Sequence, residues 1–230
     1  MVIRNKPTFD PYSLTDFQAK DALKSGVKTW RSHKWSCLTV ALIAALPALT
    51  VELIFDNPQL TLFISALMIP QAVTAISPLI ARDARGLRTD IRSSLRIMRE
   101  RLPAVLTISL MISSVVAAPA LILLFVGKFA GIAGLIFGAL AASPLALSLP
   151  ITVTESVGML RSIKPSLFLI KGRLLPALGA IFVCIAIASV GAAVRFITPD
   201  LALYGFLVEP LLVSWASVGL GALYLHLYDR

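Results

Sequence analysis

All but Lys128, Arg195 and Arg230 of the chain's 21 lysines and arginines fall in three segments, 1–35, 82–101 and 155–173, and long uncharged runs separate them. The runs are 35–51, 57–81, 102–127, 129–154, 174–194 and 210–228. About 20 predominantly apolar residues carry a helix across roughly 30 Å of hydrocarbon, and most of the runs are that long. Transmembrane strands would be ~9–11 residues of alternating polarity, and these runs do not alternate. The pattern predicts an all-α membrane protein with six transmembrane helices, at about 36–55, 59–81, 103–127, 129–152, 174–195 and 202–227. Only 14% of residues are charged, against ~25% in a soluble domain.

The net charge of +9 raises the question of nucleic acid. The distribution answers it differently, because cytoplasmic loops of membrane proteins accumulate Lys and Arg. The first connection carries Glu52 and Asp56 without a basic residue, and the last carries Arg195 against Asp200. Both termini are therefore expected in the cytoplasm of a bacterial inner membrane, and no nucleic-acid partner is expected. Ala44, Ala45 and Ala48 follow an apolar stretch as in a cleaved signal peptide. The long polar segment ahead of them is unlike the short charged start of such a peptide, so the stretch is read as the first span. Residues 1–12, with Pro7 and Pro11, read as a loose tail, and 13–230 as one membrane domain.

The basic segments share a phase. A basic residue directly follows an apolar one in Leu23-Lys24, Val27-Lys28 and Trp30-Arg31. The same holds in Leu87-Arg88, Ile91-Arg92, Leu95-Arg96 and Met98-Arg99, and again in Leu160-Arg161, Ile163-Lys164 and Ile170-Lys171. Spacings of three and four place the apolar members on one helical stripe and the basic members ~100° around it. Such a helix is expected to lie in the membrane surface, apolar side in the acyl boundary and basic side among headgroups. Each stretch precedes two spans, giving three repeat units at about 13–81, 82–152 and 153–228. Ser94 to Ala104 resembles Ser166 to Ala177, with one extra Leu in the later copy, and Pro103 and Pro176 fall where the next span begins. Ser13 and Asp16 suggest a cap for the first stretch, and Trp30 and Trp35 an interfacial belt.

Glu155, Leu160-Arg161-Ser162, Ser166-Leu167 and Lys171-Gly172-Arg173 together resemble a segment of the glycerophosphodiester phosphodiesterase membrane-domain family. There an acidic residue after a span, a basic–Ser pair, a short amphipathic helix and a basic–Gly pair lead into the next span. The resemblance implies a six-span membrane domain. It does not imply phosphodiesterase activity, which belongs to a separate soluble barrel with histidine and acidic metal ligands. The histidines of this chain, His33 and His226, each lie beside a predicted membrane surface. Pro165 departs from the family's pattern and is expected to break the stretch at Lys164.

Few residues suggest chemistry. Glu209 lies about seven residues into the sixth predicted span, where an ionisable side chain is costly and suggests function. Arg195 is placed to pair with it. Alternatively Pro210 marks a late helix start, with Glu209 at the outer surface. Gln71 follows Pro70 in mid-span and, with Ser65, Ser77, Ser109, Ser113 and Ser114, supplies either hydrogen bonds between helices or a polar path. Gly134, Gly138 and Ala142 form one small-residue face, and Ser217 with Gly221 another, suited to close packing inside the bundle or against another subunit. Glu155 is either a local helix-start charge or a clamp to the third amphipathic helix through Arg161. Cys37 and Cys184 read as small packing residues, and no metal spacing or cofactor signature is present.

The expectation is a non-enzymatic scaffold or accessory protein whose cytoplasmic face binds anionic lipid headgroups. The binding residues would be Lys20, Lys24, Lys28, Arg31, Arg88, Arg92, Arg96, Arg99, Arg161, Lys164, Lys171 and Arg173. The partners would be membrane lipids, with a second membrane protein or self-association as further options. The alternative is a small-solute or lipid transporter or channel using Glu209 and Gln71.

Overall fold

A computed structural model describes residues 19–55, 57–87, 90–155, 157–171, 174–197 and 202–228, and all regular structure in them is helical. The elements are α1 (Ala19–Phe55), α2 (Pro58–Ala84), α3 (Ile91–Glu100), α4 (Leu102–Leu124), α5 (Lys128–Ala146), α6 (Ser148–Thr154), α7 (Met159–Lys171), α8 (Leu174–Ile197) and α9 (Ala202–Tyr228). Among the described residues, five segments are long and apolar enough to cross a membrane: Ala19–Phe55, Phe63–Ala84, Leu102–Leu123, Ala133–Thr154 and Phe206–Tyr228. The run predicted at 174–195 is α8, whose described apolar stretch is Pro176–Ala188. The tail and the Ser13–Asp16 cap lie outside the described residues.

Local chemistry explains the breaks. The first amphipathic stretch and the first span are one helix, bent where His33 leaves helical geometry (φ −118°, ψ 20°). The predicted fourth span is two helices joined at Leu147. Pro150 has no N–H to donate to the Ala146 carbonyl four residues earlier, where α5 ends. The predicted break at Pro165 does not occur: α7 runs through it from Met159 to Lys171. Ser162 Oγ donates to the Met159 carbonyl (2.7 Å) and Ser166 Oγ to the Pro144 carbonyl of α5 (2.7 Å), so packing against the α5–α6 joint holds the helix through its proline.

Glycine ends α2. Gly86 adopts φ +66°, its N–H bonds the Asp83 carbonyl (2.9 Å), and the Leu87 N–H bonds the Arg82 carbonyl (2.9 Å). That pair of bonds caps a helix through a left-handed residue, which glycine adopts without a Cβ clash. Asp90 then starts α3 by accepting from the Arg92 N–H (3.2 Å).

Burial separates inner helices from outer ones. In the most apolar window of each segment, 72% of α9, 71% of α2 and 67% of α5–α6 is buried, against 33% of α4 and 17% of α1. Both small-residue faces serve packing within the chain. A Cβ on Gly134 would sit 2.6 Å from the Pro119 carbonyl oxygen of α4, and one on Gly221 2.7 Å from Ile80 Cδ1 of α2. Cys37 and Cys184 are buried thiols among apolar neighbours.

The amphipathic stretches do not lie with their apolar stripes simply in lipid. Ile91, Leu95 and Met98 of α3 pack on Cys37, Val40, Ile76 and Ile80 of α1 and α2. In α1, Ala22 and Gly26 are buried against α9, with Gly26 facing Ala222, Gly219 and Val218. In α7 the inward face is Ser162, Ser166 and Ile170, while Leu160, Leu167 and Phe168 are exposed. Small side chains at 22, 26, 162 and 166 let the backbones of α1 and α7 approach protein neighbours closely, while the exposed apolar residues of α7 face away from the bundle.

Candidate functional site

One end of the bundle gathers the charged groups. His33 Nε2, at the α1 bend, is 2.9 Å from Asp83 Oδ1 at the end of α2. Arg82 Nη1 donates to Ser93 Oγ of α3 (3.1 Å). Tyr224 Oη of α9 donates to Glu155 Oε1 after α6 (2.9 Å). Trp30 Nε1 donates to Ser214 Oγ of α9 (3.0 Å), which in turn donates to the Leu211 carbonyl (2.8 Å). These links bring the N-terminal part of α1, the end of α2, α3, the α6–α7 connection and the end of α9 together.

Lys20, Lys24, Lys28 and Arg31 on α1, Arg92, Arg96 and Arg99 on α3, and Arg161 and Lys164 on α7 are all exposed at this end. Arg96 Nε lies 4.0 Å from Glu100 Oε1, with both side chains largely exposed. An open pair of that kind holds little energy and leaves the arginine available. Lys171 is the last residue of α7. Arg88 and Arg173 lie outside the described residues. Trp35 is exposed, whereas Trp30 is an anchor into α9 rather than a member of a surface belt.

Glu155 does not meet Arg161: among the described residues no ion pair joins them, and its partner is Tyr224. The connection it fastens is therefore α6 to α9. A hydrogen bond to a charged acceptor contributes ~1.5–3 kcal/mol, and this one is half-buried. Tyr224→Phe should lower the detergent melting temperature by roughly 3–12 °C, while Glu155→Gln, which keeps an acceptor, should lower it less. Equal melting of Tyr224→Phe and the parent protein would show that the contact is idle.

Glu209 and Gln71 lie apart. Glu209 is 3% exposed inside α9, several residues after its start at Ala202, so it is not a surface helix start. It lines a cavity of about 10 Å³ with Ala41, Ala44, Ala45, Ser65, Met68, Ile69 and Val213, room for roughly one water. Arg195 lies near the end of α8. Gln71 is buried elsewhere, donating from Nε2 to Ser109 Oγ of α4 (3.3 Å), and does not line the Glu209 cavity. Ser77, Ser143 and Ser217 each bond a carbonyl four residues back in their own helix, which serves the backbone rather than a path.

A larger cavity of about 460 Å³ opens at the basic end between α1, α2 and α9, lined by Ser25, Thr29, Ile80, Ala84, Ala222, Leu225 and His226. Sequence reasoning missed it. Ser25 and Thr29 do share a helical face, but their partners lie about 55 and 200 residues away on other elements. Among the described residues no group of three or more histidine, cysteine or acidic side chains is arranged to hold a metal. Compared with family models, with curated proteins and with solved structures, the chain finds no match in any of the three.

Proposed function

We propose that the chain is a six-span protein of a bacterial inner membrane, with α8 as the remaining span, both termini in the cytoplasm, and a basic face that binds anionic lipid. Its role is that of a scaffold or accessory subunit without catalytic activity. The observation that carries this reading is the exposure of basic side chains from α1, α3 and α7 at one end of an apolar bundle. Each such charge near an anionic surface contributes ~1 kcal/mol. The three stretches serve as repeated docking elements, each followed by two spans.

The test compares lipid retained by the detergent-purified protein from mixed phosphatidylglycerol and phosphatidylcholine membranes. The parent protein is expected to enrich phosphatidylglycerol. A variant with Arg92, Arg96, Arg99, Arg161 and Lys164 changed to Gln should lose that enrichment several-fold. An unchanged lipid ratio would defeat the reading. A transporter is the second reading, favoured by the buried Glu209 and its cavity. It predicts solute flux in proteoliposomes that falls on Glu209→Gln. The separation of Gln71 from that cavity weighs against one continuous path.

A further inference from the structure

The 460 Å³ cavity at the basic end has a size typical of small-molecule sites, ~300–1,000 Å³. Its walls are chemically divided. Ile80, Ala84, Ala222 and Leu225 are apolar, and Ser25, Thr29 and His226 are polar. The hydrogen bonds already made there decide what the polar wall offers. Ser25 Oγ donates its proton to the Ala22 carbonyl at 2.9 Å, which leaves the oxygen as an acceptor. His226 Nδ1 lies 3.3 Å from the Ala222 carbonyl. A carbonyl only accepts, so Nδ1 carries a proton and Nε2 is left to meet a ligand. Thr29 contributes a hydroxyl that both donates and accepts. A wall of the Ser25 acceptor, the Thr29 hydroxyl and an imidazole nitrogen suits a ligand with its own hydroxyl groups.

Exposed cations adjoin the lining in sequence: Lys28 precedes Thr29 and Arg85 follows Ala84. Among the described acidic residues nearby, Asp83 is engaged with His33 at 2.9 Å, and Asp21 lies one turn before Ser25. We propose that this cavity binds one anionic phospholipid with a polyol headgroup, the headgroup hydroxyls against Ser25, Thr29 and His226 and the phosphate at the rim beside Lys28 and Arg85. Ile80 and Leu225 then face the glyceryl end of the acyl chains. This rests on the membrane reading of the basic end, but it is a discrete site rather than a general charge attraction.

The test is native mass spectrometry of the purified full chain in mild detergent, titrated with phosphatidylglycerol, phosphatidic acid and phosphatidylcholine of identical chains. One phosphatidylglycerol adduct is expected at a lipid concentration about tenfold below that needed for further adducts. Phosphatidic acid and phosphatidylcholine should bind that first position at least fivefold more weakly. Ala84 is exposed at the end of α2, so Ala84→Trp narrows the mouth without displacing a buried group and should weaken the first adduct at least tenfold. His226→Phe keeps the ring shape, removes the imidazole nitrogen and should weaken it severalfold. Melting curves identify any variant that has not folded, and the other variant then decides. The Gln variant of Arg92, Arg96, Arg99, Arg161 and Lys164 should keep the first adduct while losing later ones, which separates failure of the site from failure of the surface reading. The proposal is overturned if both cavity variants bind the first lipid like the parent, if phosphatidylcholine binds it equally well, or if soluble glycerol phosphate displaces it at equal concentration.

Discussion

Gly138→Leu should destabilise the protein by about 3 kcal/mol, the upper end of overpacking costs, because the new side chain meets backbone that cannot step aside. A Cβ at this position would lie 2.8 Å from Val116 Cα and 2.9 Å from the Val115 carbonyl oxygen of α4. In a chain of this size the melting temperature should fall by roughly 6–12 °C, read by the loss of monodisperse protein on heating in detergent. The contrast is Gly179 in α8, where a Cβ would meet nothing within 4 Å. Gly179→Ala should be neutral or stabilise by up to about 1 kcal/mol, since alanine restricts the unfolded chain and favours helix. If Gly138→Leu melts with the parent protein, the α4–α5 contact is not as close as described.

Gly26→Leu should release the N-terminal part of α1 from α9. Its Cβ position is 3.3 Å from Ala222 Cβ, 3.6 Å from Gly219 Cα and 3.6 Å from the Val218 carbonyl oxygen. An alanine fits there with a small adjustment, whereas a leucine has no space on that side. Release also strains the Trp30 to Ser214 hydrogen bond at 3.0 Å one turn further on. A docking loss of about 2 kcal/mol raises the open population roughly 30-fold. Cleavage by trypsin at Lys20, Lys24 and Lys28 should accelerate by a similar factor when opening is fast relative to cleavage. Gly26→Ala should be cleaved at close to the parent rate. Equal cleavage of the leucine variant would mean that this segment is not held against α9.

These outcomes hinge on glycines that look alike in the sequence. Gly134 and Gly138 announce a close-packing face by their spacing, but that spacing does not say whether the partner is another helix of the chain or another subunit. Gly26 sits between Ser25 and Val27 in a segment whose charge phase suggests a membrane-surface helix. Its contact with Ala222 is visible only once α9 is brought alongside. Pro165 shows the opposite error. Its ring predicts a break, and the bond from Ser166 to the Pro144 carbonyl, 22 residues away, keeps the helix whole. Glu155 stood out as the acidic residue after a span, but its partner Tyr224 lies 69 residues on and carries no local signal.

Charge and apolar length along the chain determined its class: uninterrupted apolar helices and the placing of basic residues between them. Those are properties of consecutive residues, set by the cost of burying a charge or an unpaired backbone group in hydrocarbon. Tertiary structure alone decided which helices are inner and which outer, that the apolar stripe of α3 and the small residues of α1 and α7 meet protein, and that Ser25, Thr29 and His226 share a cavity. The physical reason is that contacts between helices depend on side-chain size at depths where several elements meet, and one amphipathic periodicity serves equally for lipid or for a neighbouring helix.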